Sequence, residues 1–355
     1  MAALYVTSTE AFSGKSALCI GLARRMQRSG LRVGYMKPVS VGARLATQAG
    51  DEDARFFKQV LGLPDAVENM APVKLDPEAL GQILTGRDPK ELADRLEAAY
   101  AQVASGRDIV LLEGGRNLRE GALIGLPPAQ VADLLHAREL LVVKFRDNLQ
   151  AMDDALIGML RLGGSCIGVV LNSIPRPDMP FVEEAVRPAL VARGIPVLAV
   201  IPQERLLQSI TVGELAALLS GEILCGFDKL DELVEHLMVG AMGVESALML
   251  FRRKPNKAVI TGGDRSDIQL AALETSTKCL ILTGDLHPSP IILSRAEEVG
   301  VPMILVRQDT LSAVEAIEFC FGRTRFGQIQ KVERFDELLA DRFDFERLNA
   351  SLGLG

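Results

Sequence analysis

A glycine, a lysine and a serine follow the first apolar run of the chain and could together bind phosphate. The run ends at Ser8, and Gly14, Lys15 and Ser16 stand shortly afterwards, at the start of a helical pattern. A loop that ends at a helix N-terminus directs backbone N–H groups and the positive end of the helix dipole toward an anion. Gly14 would let the backbone approach closely, Lys15 could reach the β- and γ-phosphates, and the Ser16 hydroxyl could hold Mg²⁺. The spacing therefore predicts a site for ATP, ADP or a similar nucleotide with Mg²⁺.

The loop departs from the strict GxxxxGK[ST] pattern, because Thr9 stands where that pattern has its first glycine. The alternative is an ordinary strand-to-helix turn. Glu10 occupies the place of the additional lysine in the partition-ATPase variant, which disfavours that class. The position directly after the first buried strand favours nucleotide binding. We assign the nucleotide contacts to Thr9, Ser13, Gly14, Lys15, Ser16 and Ala17.

Polar residues end or follow further apolar runs. Lys37, Glu113 and Asn172 each stand at the end of such a run, where ligands bind in open α/β sheets. Glu113 suits a Mg²⁺-associated acid, and the amide of Asn172 could contact a nucleobase edge. A second carboxylate could come from Asp51-Glu52-Asp53. The alternatives are a solvated lysine, a salt-bridged or capping acid, a turn-forming asparagine and a solvated helix start.

A second turn of similar type follows a later apolar run. Gly262 and Gly263 come directly before Asp264 and Arg265, at the start of a helical pattern. Such a turn could bind phosphate or another small ligand, with Arg265 as the partner of an anion. The alternative is a capped strand-to-helix turn with Asp264 or Ser266 as the N-cap.

The elements that would position these residues alternate along the first 215 residues. Continuous apolar runs are typical of strands buried on both faces, as in a parallel sheet covered by helices. Helical spacing separates them, as in Leu18, Leu22 and Met26. The predicted strands are Leu4–Ser8, Arg32–Lys37, Asp108–Glu113, Leu140–Phe145, Ile167–Asn172 and Val197–Ile201.

A second, shorter series begins near Val212 and predicts a smaller parallel α/β domain. Its predicted strands are Leu237–Ala241, Ala258–Thr261, Leu280–Thr283 and Met303–Val306, and its helices are Val244–Phe251, Asp267–Leu273, Ile291–Val299 and Leu311–Phe321. Phe335–Leu348 could form one amphipathic helix. We therefore divide the chain into 1–212, 213–325 and a helical tail over 326–355.

Composition excludes several classes of protein. A chain of 355 residues is too long for one ordinary core. A net charge of -7 and an aromatic content of 5% disfavour binding to nucleic acid or anionic membranes. The five cysteines include no CxxC pair, so we expect buried free thiols, no zinc site and a cytoplasmic location. No 18-residue apolar run predicts a membrane span.

The order of these motifs resembles the dethiobiotin-synthetase-like branch of P-loop proteins. The resemblance rests on Thr7–Glu10, Ser13–Ser16, Met36–Val39, Asp53-Ala54 and Leu112–Gly114. It is closer to the N-terminal region of long bacterial phosphotransacetylases, in which this domain precedes a DRTGG domain; here the segment Thr261–Arg265 and the strand–helix rhythm match that second domain.

The resemblance implies roles for particular residues. Lys15 would take the P-loop role and Lys37 would contact the transferred or terminal phosphate. Asp53 and Glu113 would join Ser16 around Mg²⁺. Asn172 would face the adenine.

Two departures limit the expected activity. The chain ends at Gly355 soon after the DRTGG-like part, so we expect no synthesis of acetyl phosphate by this chain alone. Val41 replaces a hydroxyl residue, and no Ser-Pro-His segment lies between Pro72 and Pro89, which disfavours dethiobiotin synthesis.

Three functions follow from these observations. We expect a nucleotide-binding regulatory or scaffolding protein that self-associates, takes a second small-molecule effector in its DRTGG-like domain and acts on a partner acyltransferase. The first alternative is an ATP-dependent ligase, of the carboxylase or amide-forming type, in which Lys15 and Lys37 stabilise the transferring phosphoryl group. The second is a structural oligomerisation module with a relic loop.

Overall fold

The computed structural model describes residues 1–41, 52–86, 88, 90–323 and 326–354. Asp51, part of the acidic segment considered for Mg²⁺, lies outside the described residues. The chain forms two compact units, one of Met1–Gln203 with Phe326–Gly355 and one of Glu204–Arg325. No helix in the described ranges is long and apolar enough to cross a bilayer.

The first unit alternates strands and helices. Its strands are β1 (Ala2–Ser8), β2 (Val33–Met36), β3 (Val39–Val41), β4 (Val73–Leu75), β5 (Ile109–Glu113), β6 (Arg138–Lys144), β7 (Cys166–Ile174) and β8 (Val197–Pro202). Its helices before the second unit are α1 (Lys15–Arg28), α2 (Glu52–Leu61), α3 (Val67–Met70), α4 (Pro77–Leu84), α5 (Lys90–Ala104), α6 (Pro128–Leu134), α7 (Asn148–Leu162), α8 (Met179–Phe181) and α9 (Arg187–Ala192).

A six-stranded parallel sheet in the order β2-β5-β1-β6-β7-β8 organises this unit, which confirms the predicted fold class. All residues of β5 and β8 are buried, as the continuous apolar runs indicated. Strand β1 is central, and its register pairs Val6 with Glu113 of β5. The carboxyl ends of β1 and β5 therefore lie side by side, directly before the glycine-containing loop.

The second unit contains a smaller sheet. Its strands are β9 (Ile210–Thr211), β10 (Glu222–Cys225), β11 (Leu233–Val234), β12 (His236–Val239), β13 (Lys257–Gly262), β14 (Thr277–Thr283) and β15 (Met303–Leu305). Its helices are α10 (Arg205–Gln208), α11 (Val212–Leu219), α12 (Val244–Phe251), α13 (Ser266–Leu273), α14 (Pro290–Val299) and α15 (Thr310–Cys320). The sheet order is β10-β15-β14-β13-β12.

Strand β10 corrects the prediction of an all-parallel second sheet. Strands β12 to β15 are mutually parallel, but β10 pairs antiparallel with β15 at the edge. It has four residues, and only Cys225 among them is buried. Its apolar run is only three residues long, which is too short to separate a strand from other structure by periodicity, so the sequence did not indicate it.

The last segment of the chain folds onto the first unit as two helices, α16 (Ile329–Arg342) and α17 (Phe345–Leu352). The prediction of one helix over Phe335–Leu348 was therefore wrong. Phe343 forms a β-bridge with Ala199 of β8, and the Asp344 side chain accepts a hydrogen bond from the Arg347 amide at the start of α17. The bridge and the new N-cap end one helix and begin the next.

The cysteines are free thiols, as expected from their spacing. Cys19, Cys225 and Cys279 are buried, whereas Cys166 and Cys320 are half-buried. Burial raises the pKa of the Cys279 thiol to about 12, which makes it a poor nucleophile.

Glu139 of β6 is a fully buried carboxylate with incomplete hydrogen bonding. Its Oε2 accepts from the Ser165 hydroxyl at 2.6 Å, while Oε1 has no partner among the described residues. Burial raises the pKa of Glu139 to about 7; the Ser165 hydrogen bond opposes this rise and the charge of Asp133 adds to it. The folded chain therefore holds a proton here that an unfolded chain releases near its ordinary value of 4.5.

Replacement of Glu139 by Gln is expected to remove part of the pH dependence of stability. In the wild type, the contribution of this group is fully present below about pH 4.5 and is lost as the pH rises through about 7. As the pH rises from about 5 to about 8, the wild type should therefore lose about 2 kcal/mol of its free energy of unfolding through this group. Glu139→Gln should not show this loss. Urea unfolding at both pH values measures this difference. The exposed Glu97→Gln is the control, and equal pH slopes in Glu139→Gln and wild type would contradict the prediction.

Candidate functional site

The loop between β1 and α1 requires glycine at its end. Gly14 has φ 95° and ψ 16°, in the left-handed region that favours glycine. A Cβ atom there would lie 2.2 Å from Nδ2 of Asn172. That nitrogen donates a hydrogen bond of 2.7 Å to the Ser13 carbonyl oxygen. Asn172 of β7 thus holds the loop in place, and its predicted contact with adenine stays a prediction.

Lys15 is buried and turned back into the loop. Its ammonium donates to the hydroxyl of Ser8 at 2.6 Å and, more weakly, to that of Ser13 at 3.4 Å. Burial lowers the pKa of Lys15 to about 8; nearby Glu113 opposes this change and Lys37 adds to it. The ammonium is therefore desolvated, and its hydrogen-bond acceptors are neutral hydroxyl groups.

Glu113, at the end of β5, accepts one hydrogen bond on each carboxylate oxygen. The Ser16 hydroxyl donates to Oε1 at 2.6 Å, and the Tyr35 hydroxyl donates to Oε2 at 2.7 Å. Burial raises the pKa of Glu113; the charge of Lys37 lowers it, and that of Asp53 raises it. The carboxylate thus lies beside the first turn of α1 in a fixed orientation.

Lys37 and Asp53 form an ion pair at the same edge of the sheet. The distance between Lys37 Nζ and Asp53 Oδ2 is 2.6 Å, and both side chains are partly exposed. Lys37 follows β2 and Asp53 lies in the first turn of α2. The structure therefore brings together a residue predicted to contact phosphate and a residue predicted to bind metal.

The oxygen donors at this edge fit magnesium. Ser16 supplies a hydroxyl, and Glu113 and Asp53 supply carboxylates, which are hard ligands of the kind Mg²⁺ takes. In the part of the chain that the structure describes, no group of three or more His, Cys, Asp or Glu side chains could hold a metal. Mg²⁺ bound with a nucleotide does not need such a group, because phosphates and water complete its shell.

The remaining predicted contacts also lie at this loop. Ala17 is buried in the first turn of α1, and the Thr9 hydroxyl is buried without a hydrogen-bond partner among the described residues. Sequence reasoning missed two contacts: Tyr35 on Glu113, described above, and Arg146, which forms an ion pair with Glu10. The only sequence feature that indicated a charged partner was the acidic residue Glu10 within the loop.

The glycine turn of the second unit is tightly packed. A Cβ atom on Gly263 would lie 1.6 Å from the Leu286 carbonyl oxygen. The buried Gln269 donates from Nε2 to the carbonyl oxygens of Gly262 and Gly263, at 3.0 Å each. Helix α13 begins at Ser266 with Arg265 at the N-cap, so neither Asp264 nor Ser266 is the N-cap residue.

Arg265, predicted as an anion partner, already bonds a neighbouring carboxylate and a main-chain carbonyl. It donates to both carboxylate oxygens of Asp267 at 2.9 and 3.0 Å and to the Met242 carbonyl at 3.2 Å. An anion that takes the two donors now used by Asp267, Nε and Nη2, would have to displace this carboxylate.

Family models match both parts of the chain in the order found in the structure. A model described as an AAA domain matches residues 2–211, more than half of the chain. The chain belongs to the AAA domain family. A DRTGG domain model matches residues 214–320. The chain is thus a P-loop AAA domain followed by a DRTGG domain, as the resemblance to the N-terminal region of phosphotransacetylases predicted.

The curated relatives that match the chain across both its AAA domain and its DRTGG domain include phosphate acetyltransferases. That of a Synechocystis species is 26% identical over 376 residues, covering 97% of this chain and 51% of the relative. That of Pseudomonas aeruginosa is 23% identical, covering 99% of this chain and 52% of the relative. The chain spans about half the length of these relatives. The ATP-dependent dethiobiotin synthetase of Methanococcus vannielii is 27% identical over 190 residues, covering 51% of this chain and 84% of the relative.

Two solved structures are similar to parts of the chain. The CBS and DRTGG regulatory domains of a Clostridium perfringens pyrophosphatase, complexed with the activator diadenosine tetraphosphate, are 16% identical and cover 47% of this chain and 84% of that one, with a TM-score of 0.30. FtsY of Thermotoga maritima is 16% identical and covers 57% of this chain and 62% of that one, with a TM-score of 0.34.

Proposed function

We propose that the AAA domain binds ATP or ADP with Mg²⁺ and that the chain is a regulatory or scaffolding protein controlled by this binding. The observation that carries the proposal is Lys15, a buried ammonium between β1 and α1 whose hydrogen-bond acceptors are two hydroxyl groups. A buried charge held by neutral acceptors is poorly compensated. A phosphate oxygen would supply the opposite charge and a charge-assisted hydrogen bond.

The first turn of α1 supports a phosphate at the same place. The helix begins at Lys15, and the left-handed Gly14 allows the backbone N–H groups of this turn to face one anion. Acidic side chains are absent from this turn. No carboxylate within the turn itself therefore competes with a nucleotide for the positive end of the helix dipole.

Magnesium and nucleotide together would exchange the partners of the charged residues. Ser16 would turn from Glu113 to the metal, with Glu113 and Asp53 contacting the metal or its water molecules. Lys37, released from Asp53, would contact the terminal phosphate. The magnesium ion supplies charge neutralisation at the phosphates. Asp53 and Lys37 would thus exchange their mutual ion pair for stronger partners, the metal for Asp53 and the terminal phosphate for Lys37.

The regulatory part of the proposal is supported by similarity to phosphate acetyltransferases over nearly the whole chain. The same proposal has three further parts. The chain acts on an acyltransferase, binds a second small-molecule effector at Gly262–Arg265 and forms a homo-oligomer. At the packed turn, the second effector would bind Arg265 either in place of Asp267 or through Nη1, which takes no part in the bonds to Asp267.

Calorimetric titration of the full chain with ATP, ADP and tripolyphosphate, with and without Mg²⁺, tests the proposal. We expect Mg²⁺ to strengthen binding of ATP, and tripolyphosphate to bind more weakly because it lacks the base and sugar. Phosphate release is followed in parallel, and steady release would favour the ligase over the regulatory function. If none of the three binds at millimolar concentration, the proposed nucleotide site is wrong.

A further inference from the structure

The side chain of Tyr35 joins the candidate metal carboxylate to helix α2. Tyr35 lies in β2, is fully buried, and donates its hydroxyl hydrogen to Oε2 of Glu113 at 2.7 Å. We propose that Tyr35 is a positioning residue for magnesium, which orients Glu113 and couples this carboxylate to α2. The inference rests on the proposed function, because it assigns a role in the binding of Mg²⁺ with nucleotide.

The two donors to Glu113 have different fates when magnesium binds. In the structure, Ser16 occupies Oε1 and Tyr35 occupies Oε2. The Ser16 hydroxyl leaves Glu113 if it becomes a metal ligand. Tyr35 bonds the other oxygen and does not need to move. It is therefore the donor that can keep the carboxylate oriented in both states, as partners in the outer shell of metal sites do.

The ring of Tyr35 connects the same carboxylate to α2. It stacks on Phe57, with ring centroids 3.7 Å apart and an angle of 16° between the planes. Phe57 is also buried. Asp53 precedes Phe57 by four residues on α2, so the two side chains share one face of the helix. On that face of α2, one side chain forms the ion pair with Lys37 and the other stacks on Tyr35.

A chain of contacts therefore connects Glu113 to Asp53, the two carboxylates proposed to bind the metal, although they are distant in sequence. Glu113 is fixed by Tyr35, Tyr35 by Phe57, and Phe57 lies on the same helix face as Asp53. Loss of the Tyr35 hydroxyl should leave the stack intact and release Glu113. Loss of outer-shell partners of this type weakens metal affinity by about 10- to 100-fold.

The substitution Tyr35→Phe tests the inference, because it removes the hydroxyl and keeps the ring. Mg²⁺ is titrated into protein saturated with ADP, and ADP is titrated separately in EDTA. We expect Tyr35→Phe to weaken Mg²⁺ binding by about 10-fold and to leave the ADP affinity in EDTA unchanged. Tyr100→Phe, at a half-buried tyrosine of α5, is the matched control and should bind Mg²⁺ as the wild type does.

Tyrosine emission shows whether Mg²⁺ acts at Tyr35 itself, whereas the separate Mg²⁺ and ADP titrations distinguish a positioning role from a structural one. The chain has three tyrosines and no tryptophan, so its emission reports tyrosine directly. At constant ADP, adding Mg²⁺ should change the emission of the wild type and of Tyr100→Phe, but not that of Tyr35→Phe. An equal change in Tyr35→Phe would overturn the inference.

A second variant keeps the test decisive if Tyr35→Phe does not fold. Phe57→Leu removes the stack and keeps the hydroxyl, and it should also weaken Mg²⁺ binding without changing the ADP affinity in EDTA. Wild-type Mg²⁺ affinity in whichever of the two variants folds would overturn the inference. Failure of the wild type to bind ADP at all would instead overturn the proposed function, and the two failures are therefore distinguishable.

Discussion

Replacement of Lys15 by Ala is expected to weaken Mg-ATP binding by at least about 100-fold, because a phosphate loses a charge-assisted hydrogen bond in a desolvated site, worth about 3 kcal/mol. The same substitution removes a buried charge whose hydrogen-bond acceptors are the neutral Ser8 and Ser13 hydroxyls. The free energy of unfolding of the nucleotide-free variant should therefore not fall. Calorimetric titration with Mg-ATP and urea unfolding of the free protein measure the two effects.

The combination of lost binding and preserved stability separates a ligand contact from a structural lysine. Lys74→Ala is the matched control, since Lys74 is an exposed lysine of β4 in the same unit. It should bind Mg-ATP as the wild type does. Wild-type affinity in Lys15→Ala would contradict the phosphate-binding role, and a fall in stability equal to the loss in binding energy would indicate a structural role.

Buried parallel strands were predictable because each contains a short apolar run and because longer helical patterns separate these runs along the chain. Strand β5 has only buried residues, and its run was visible in the sequence up to Glu113. Strand β10 was not visible, because its apolar run has only three residues and its pairing partner β15 is distant in sequence. The break at Phe343 depends likewise on a bridge to β8, a contact between residues distant in sequence.

Residues at the carboxyl ends of strands were predictable for a related reason. Parallel strands deliver their ends to one edge of the sheet, so Glu113 and Lys37 could be placed near Ser16 before any contact was known. Tyr35 was missed because a tyrosine inside an apolar strand has the same sequence pattern as a core residue. Its hydrogen bond to Glu113 depends on the register of β2 against β5.

The hydrogen bond by which Asn172 fixes the loop could not be predicted. It depends on the end of β7 lying against Gly14 and Ser13, far away in the sequence. Arg265 shows the opposite limit. Its bonds to Asp267 are local, but a sequence gives no preference between a neighbouring carboxylate and a bound anion.

Replacement of Gly263 by Ala is expected to lower the free energy of unfolding of the DRTGG domain by about 4 kcal/mol. The new Cβ would lie 1.6 Å from the Leu286 carbonyl oxygen, which is main chain and cannot rotate away. The turn must shift, at a cost of about 1–3 kcal/mol for overpacking. The shift also removes acceptors of the buried Gln269 amide, and each polar group left unsatisfied costs about 1–3 kcal/mol more.

Amide hydrogen exchange locates this effect, because it reports stability segment by segment. In Gly263→Ala, peptides from β13, α13 and β14 should exchange faster by two to three orders of magnitude, roughly what about 4 kcal/mol implies. Gly243→Ala makes the same chemical change before α12, where a Cβ meets no atom within 4 Å, and should exchange as the wild type does. Exchange of Gly263→Ala at the wild-type rate would mean that the turn can open without breaking the Gln269 bonds. A turn that opens at so small a cost has room for a ligand at Gly262–Arg265, whereas a turn that cannot open admits only a ligand bound outside it, through Arg265.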